Sequence, residues 1–363
     1  MAKAATKKPS LTERLLKNTT LKEHTTTLDR STLHIDKKLY QTPVPIMNVG
    51  LSGTLDGGLG AGLGQIAGPS KHFKTLFGLI MVSAYLREHD DAVCLFYDSE
   101  FGAGKSYFAS LGIDPARVIH CPITDIEQLK FDVMQQINEI QRNDNVIVFI
   151  DSIGNLASKK EVEDALDKKS VADMTRAKQL KSLWRMVTPH LTIRSIPMIF
   201  VNHTYETQEM YSQTVVGGGT GGIYSSDWIW VVGRSKEKEK KSDKHISGYS
   251  FNVRVQKSRY VKEDSKFSVS VSFDRGMNIW SGLLDLAEEL GYVASKVSKS
   301  KVFQRVGIDD DETWFTQRKT DSKEFWNPVF ATDFPEAVRK KYQLATTELI
   351  HTDEEIVGDD DDE

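Results

Sequence analysis

The chain has 363 residues, 39% of them hydrophobic and 27% charged, with a formal net charge of −4. That length suits one large core with a smaller appendage. No apolar run approaches a membrane span, and the basic stretch Met1–Lys8 lacks the apolar segment of a signal peptide. Cys94 and Cys121, the two cysteines, sit in apolar strand-like settings without metal-site spacing and suit a reducing interior, so the expected location is the cytoplasm.

The first residues, 1–42, are polar and broken by Thr and Ser, with an amphipathic helix expected around Leu11–Leu21; they read as an arm. From about Pro43 the composition changes. Apolar runs at Ala92–Tyr97, Val146–Ile150, Met198–Val201 and Trp228–Val232 alternate with helical patterns near Thr75–Glu88, Ile126–Gln141 and Val171–Val187. Continuous apolar strands alternating with helices predict an α/β core with a mostly parallel central sheet covered on both faces. Tyr249–Val255 and Phe267–Phe273 alternate more and fit antiparallel edge strands, and Leu283–Leu290 is a further helix, closing a core over 43–292. After Val293 the chain turns polar and is punctuated by Trp314, Phe315, Phe325 and Trp326, which predicts a small C-terminal unit over 293–352. Asp353–Glu363 holds eight acids and no Lys or Arg, leaving +4 on the rest of the chain. Clustered like charge at a terminus predicts a disordered, solvated tail, able to compete with a polyanion for a basic groove. The run Arg234–Lys241 reads as a solvated hairpin loop.

The chemistry centres on Gly68-Pro69-Ser70-Lys71-His72-Phe73-Lys74-Thr75, set between the strand-like Leu63–Ala67 and the helix-like Leu76–Val82. Strand, Gly-led loop, Lys-Thr and helix is the context of a Walker-type phosphate loop, in which backbone N–H groups and a helix N-terminus face an anion. Lys74 would reach the β/γ-phosphates of ATP, and the Thr75 hydroxyl would ligate Mg²⁺. Phe73 stands where a second Gly is usual and restricts the backbone if that position needs a positive φ. Val146–Asp151 is an apolar strand ending in a carboxylate that could hold the Mg²⁺ hydration shell beside Thr75, or could serve turn chemistry. Cys94–Glu100 also ends in carboxylates; Glu100 could orient the water attacking a γ-phosphate, or lie in a solvated turn.

Phe96–Glu100, Leu111–Asp114, Phe149–Ser152, Phe200–Asn202 and Gly217–Gly222 occur in the order found in bacterial RecA. Ala67–Lys71, Ser158–Glu161, Met174–Lys178 and Asn202–Met210 resemble more closely the UvsX-type recombinases of T-even-like bacteriophages. The resemblance is dense over about Pro45–Tyr292, thin in the arm, and returns at Phe325-Trp326 and Tyr342-Gln343-Leu344. It implies a RecA-like ATPase in which Lys74 holds the β/γ-phosphates, Thr75 and Asp151 serve Mg²⁺, Glu100 is the catalytic carboxylate and Tyr107 stacks on adenine. His203 takes the place of a Gln that senses the γ-phosphate; a strand-end structural His is the other reading. Lys257 and Arg259 match bases that reach the ATP of a neighbouring subunit, on alternate residues that project the same way; a solvated basic edge is the alternative. The resemblance also implies two mobile DNA loops, about Asn155–Lys169 with Arg176 on the helix behind it, and about Thr204–Gly222. Within the second, Gly217, Gly218 and Gly219 suit close approach to phosphates, while Tyr205 and Met210 offer stacking or wedging surface.

The implied function is recombination and repair: ATP-dependent polymerisation into a helical filament on single-stranded DNA, then homologous pairing and strand exchange with double-stranded DNA. The phage resemblance places this in the host cytoplasm and implies a recombination mediator and a single-strand-binding protein as partners. A RecA-core hexameric helicase would share both Walker elements; the glycine-rich second loop and the polar arm favour the recombinase. A small-molecule kinase would need a lid and an acceptor pocket that cannot be located, and a non-catalytic DNA-coating protein would have no use for Lys74, Thr75, Asp151 and Glu100 together.

Overall fold

The computed structural model describes residues 9–22, 25–31, 38–142, 144–167, 174–207, 214–238, 245–297 and 300–344. The acidic tail, Met210 and the tip of the Lys-rich run lie outside the described residues. Contacts divide the chain into two units, Met1–Lys38 and Leu39–Glu363.

The first unit carries helix α1 (Leu11–Asn18) and a short 3₁₀ turn, Leu28–Arg30. A capping box starts α1: the Ser10 hydroxyl accepts from the Glu13 N–H, and the Glu13 carboxylate accepts from the Ser10 N–H. Leu11 and Leu15 stay exposed on it. The helix stops three residues short of the expected Leu21.

The second unit begins at Leu39, and its first buried residue, Tyr40, pairs through its backbone with Leu59. Its elements in order are α2 (Pro45–Ser52), β1 (Gly62–Ala67), α3 (Lys74–Glu88), β2 (Val93–Asp98), α4 (Lys105–Ser110), β3 (Val118–Pro122), α5 (Ile126–Glu139), β4 (Val146–Asp151), α6 (Lys159–Leu166) and α7 (Thr175–Arg194). They continue with β5 (Pro197–Asn202), β6 (Thr204–Glu206), β7 (Thr214–Val216), α8 (Thr220–Ser225), β8 (Trp228–Glu237), β9 (Gly248–Ser258) and β10 (Lys266–Ser272). Last come β11 (Gly276–Met277), α9 (Leu283–Glu289), β12 (Val293–Val297), β13 (Lys301–Arg305), β14 (Phe315–Thr316), α10 (Gln317–Thr320), α11 (Lys323–Phe330) and α12 (Phe334–Tyr342).

Nine strands form one sheet in the order β11-β10-β9-β8-β1-β5-β4-β2-β3. Pairing is parallel from β8 through to β3 and antiparallel from β8 out to β11. The expected architecture is therefore present, with the antiparallel strands at one margin. Strand alternation splits the apolar side chains between the two faces. Phe96, Phe149 and Val201 face the cluster that contains α3, whereas Tyr97, Ile150 and Phe200 face the cluster that contains α5 and α7. Trp184 of α7 stacks on Phe200 with ring centroids 4.4 Å apart; burying each such ring contributes about 2–3 kcal/mol. β8 runs on to Glu237, so Arg234–Glu237 of the expected loop are strand residues. The C-terminal strands and helices send Phe303, Phe325, Trp326 and Phe334 into the same apolar cluster as the sheet. Among the described residues no helix is long and apolar enough to cross a membrane.

Candidate nucleotide-binding and catalytic site

Parallel strands deliver their C-terminal ends to one edge of the sheet, where successive backbone groups are left to loops. Four adjacent ends meet there. β1 leads into Gly68, β5 ends at Asn202 opposite Ala67, and β4 and β2 end at Asp151 and Asp98, which are register partners. This edge gathers Lys74, Thr75, Glu100, Asp151 and His203 from distant parts of the sequence.

The loop itself is tightly specified. A Cβ on Gly68 would lie 2.7 Å from the Val232 carbonyl oxygen, so no larger residue fits. Pro69 and Ser70 are exposed. His72 Nδ1 lies 2.9 Å from the Ser70 carbonyl oxygen, and the Lys71 carbonyl accepts from Arg234 Nη1 at 2.9 Å. Lys71 and Phe73 take positive φ values of 61° and 50°. Position 73 thus does require the left-handed region, which opposes a residue with a Cβ by about 1–2 kcal/mol. The Phe73 ring meets Phe251 edge-on at 5.2 Å, and Phe77 does the same at 5.9 Å. The Phe73–Phe251 pair contributes about 0.5–1.5 kcal/mol and so offsets much of the strain at residue 73. Packing here does what the conformational freedom of Gly does elsewhere.

Lys74 opens α3 and is 6% exposed, with Nζ donating to the Pro69 carbonyl at 2.8 Å. Burial lowers its pKa, opposed by the carboxylates of Glu100 and Asp151. The Thr75 hydroxyl donates to Asp151 Oδ2 at 2.6 Å. Asp151 Oδ1 is buried without a hydrogen-bond partner. Burial pushes the Asp151 carboxyl up to about 6, against the Thr75 hydrogen bond that lowers it. An orphaned carboxylate oxygen beside a hydroxyl is a hard, oxygen-only donor set of the kind that suits Mg²⁺, which Asp151 and Thr75 would hold. Among the described residues no group of three or more His, Cys, Asp or Glu could hold a metal by itself.

Glu100 faces this pair from the end of β2. Its Oε1 accepts from Ser152 Oγ at 2.6 Å and lies 3.3 Å from His203 Nε2. The His203 hydrogen bond, acting against partial burial, holds the Glu100 carboxyl down at about 2. His203 reaches this position because residue 154 is Gly: a Cβ there would lie 2.0 Å from His203 Cδ2. Asn202 fixes the same corner, its Oδ1 accepting from the His203 N–H and its Nδ2 donating to the Gly217 carbonyl, each at 2.8 Å. Sequence reasoning assigned no role to Ser152, Gly154 or Asn202. Their signal was position, since each lies within three residues of a functional strand end. Tyr107 of α4 is half-buried, and burial, with Asp151 adding to it, pushes its hydroxyl up to about 12.

The two expected loops carry more structure than their composition suggested. The Asn155–Lys169 segment contains α6, started by a capping box in which the Ser158 hydroxyl accepts from the Glu161 N–H. Arg176 does not project freely: Nε donates to the Leu156 carbonyl at 2.8 Å, and Nη2 to the Ile153 and Gly154 carbonyls at 2.8 and 3.0 Å. The Thr204–Gly222 segment begins as a hairpin, β6 paired with β7 from Thr204–Val216 to Glu206–Thr214, and ends in α8. Tyr205 is exposed on that hairpin opposite Val215. Gly217 uses both backbone groups, donating to the His203 carbonyl and accepting from Asn202, while Gly218 and Gly219 turn the chain at φ 82° and 77°.

Lys257 and Arg259 lie elsewhere. β9 is antiparallel to β8, which places Lys257 opposite Ile229 and lets the Arg259 N–H donate to the Asp227 carbonyl. That is level with Leu63–Gln65, before β1 reaches its loop. Lys257 Nζ donates to the carbonyls of Ile223 and Tyr224 at 2.8 and 3.0 Å, and Arg259 Nε pairs with Asp227 Oδ1 at 2.5 Å. Neither cation meets Lys74, Thr75 or Glu100 in the same chain.

The RecA N-terminal domain family matches residues 35–278, and the C-terminal domain family of the bacteriophage T4 recombination and repair protein matches residues 280–338. The chain is 48% identical over 342 residues to the recombination and repair protein of Enterobacteria phage T4, covering 92% of this chain and 86% of that one. It is 27% identical over 310 residues to protein RecA of a Synechococcus strain, covering 82% and 77%. Against protein RecA of Arthrospira platensis the identity is 23% over 322 residues, covering 85% and 84%. The chain belongs to the RecA family, in the branch that carries the C-terminal domain of the phage T4 recombination and repair protein.

Proposed function

We propose that this chain is a recombination and repair protein, a DNA-dependent ATPase that polymerises on single-stranded DNA, pairs it with a homologous duplex and exchanges strands. A recombination mediator and a single-strand-binding protein are the partners that go with that activity. The observation that carries the reading is the convergence of Lys74, Thr75 and Asp151 with Glu100, and the contact of Glu100 with His203, from which the hairpin Thr204–Val216 springs.

Lys74 would turn its ammonium from the Pro69 carbonyl to the β/γ-phosphate oxygens, and Tyr107 would lie against the base. Thr75 and Asp151 would hold Mg²⁺, which when bound supplies positive charge to the phosphate oxygens. Glu100 orients the attacking water. A carboxylate held at about 2 is a weak base. Turning His203 toward the γ-phosphate removes the hydrogen bond that holds it there and raises its basicity. His203 also sits against Gly154 and heads the hairpin, so the same movement reaches both proposed DNA segments. Lys257 and Arg259 complete the site from a neighbouring subunit.

The test is phosphate release from ATP with and without single-stranded DNA, run beside electron microscopy of the same mixtures and repeated with Lys74→Ala. DNA-stimulated hydrolysis by helical filaments, lost in Lys74→Ala, is expected. Hydrolysis from closed rings would favour a RecA-core helicase, filaments without hydrolysis would mean that Phe73 removes catalysis, and undiminished activity in Lys74→Ala would remove the site assignment.

A further inference from the structure

Glu100 stands on a turn whose shape is set by one carboxylate. Asp98 is 2% exposed, and its Oδ1 accepts from the backbone N–H groups of Glu100 at 3.1 Å and Phe101 at 2.7 Å. Phe101 takes φ 56°, a conformation a residue with a Cβ avoids, so the turn persists because Asp98 holds it. The other oxygen, Oδ2, lies 3.0 Å from His120 Nε2. His120 comes from β3, the terminal strand of the sheet, and its ring stacks on Phe96 with centroids 5.5 Å apart and planes inclined by 21°. With Nε2 carrying the proton, the imidazole donates to Asp98 and fixes which oxygen faces the turn.

We infer that Asp98 and His120 form a positioning pair for Glu100: His120 orients the Asp98 carboxylate, and Asp98 sets the turn that aims Glu100 at Ser152 and His203. The inference rests on the reading of Glu100 as the hydrolytic carboxylate. It extends the site across β2 to a strand that no motif in the sequence marked, by a chain of side-chain and backbone hydrogen bonds rather than by contact with substrate. A buried carboxylate with one of its partners removed rotates or takes up water, and the N–H groups it holds lose their alignment.

The substitutions that test the pair are tolerable in the fold. The His120 side chain is 49% exposed and borders a cavity of about 250 Å³ that is also lined by Ala103, Gly104 and Phe108. His120→Ala is expected to lower the DNA-stimulated kcat about tenfold, the loss that one hydrogen bond's worth of transition-state alignment produces. KM for ATP and the affinity for single-stranded DNA are expected to stay within about twofold, because no binding group is touched. His120→Gln places an amide N–H where Nε2 stood and is expected to recover most of kcat. Wild-type kcat in His120→Ala, equal losses in the Ala and Gln variants, or KM falling into line with kcat would overturn the pair. Glu100→Gln separates the two readings. If it abolishes hydrolysis while His120→Ala is unaffected, only the pair fails; if it leaves hydrolysis intact, the role of Glu100 fails and the pair with it.

Discussion

Asp151 is the residue where stability and function pull apart. Its carboxyl moves from an ordinary 3.8 to about 6, chiefly because it is buried, with Glu100 and Asp98 nearby adding to the rise. A raised acid destabilises the folded chain when it is ionised. The effect is full above pH 6 and disappears below about pH 4, and a rise of this size corresponds to about 3 kcal/mol. Asp151→Asn removes that buried charge. The variant is expected to melt a few degrees higher than wild type at pH 7.5 without nucleotide, with the gain shrinking at pH 5, where the wild-type carboxyl is itself protonated. It is also expected to lose Mg²⁺-dependent nucleotide binding. Thermal melts at the two pH values check the first statement, and equal melting temperatures at both would show that the charge is not a burden. Glu100, held low by its hydrogen bond to His203, stays ionised throughout this range and contributes no acid limb.

At the scale of the element, α7 does more than cover the sheet. Through Arg176 it ties down the turn Ile153–Leu156, which carries Gly154 beneath His203 and leads into α6. Arg176→Lys keeps the charge but cannot reach three carbonyls with one ammonium. It is expected to cost about 2 kcal/mol of stability and to lower DNA stimulation of hydrolysis several-fold while nucleotide binding holds. Hydrogen exchange at residues 153–156 should rise with it; unchanged exchange would mean that the turn is held by something else. The parallel strands were legible because a strand buried on both faces needs an unbroken apolar run, as in Val146–Ile150. α6 was equally legible in principle, since Ser158-Lys159-Lys160-Glu161 is a capping-box pattern, but its polar residues read as a loop. The hairpin stems are short, and Thr204, Val215 and Val216 carry too little periodicity to separate them from the glycines that follow. Arg176 was placed on the right helix, yet three carbonyls brought together by the turn are contacts that no local pattern reveals.

On the scale of the whole molecule, the register of the sheet decides which subunit the basic pair can serve. β1 rises about 3.3 Å per residue toward its loop, and Arg259 is level with Leu63, five residues before Gly68. Along the sheet Arg259 is therefore about 15 Å and Lys257, level with Gln65, about 10 Å short of the loop, and both cations already hold backbone or carboxylate partners of their own chain. If Lys257 and Arg259 act on a nucleotide, it belongs to another copy. This separation permits a mixing experiment. The Lys74→Ala variant has a defective loop and an intact basic pair; a Lys257→Ala, Arg259→Ala double variant has the reverse. Each alone is expected to hydrolyse almost nothing, because every interface in its filament lacks one half of the site. In an equal mixture on single-stranded DNA, random assembly places an intact loop against an intact pair at about a quarter of the interfaces, so about a quarter of wild-type hydrolysis should return through proximity of the two halves. Recovery that rises and falls with the mixing ratio would fix the pair as acting between subunits. No recovery at any ratio, with filaments present, would mean that Lys257 and Arg259 serve the fold through α8 and Asp227, and that the catalytic site is complete within one chain.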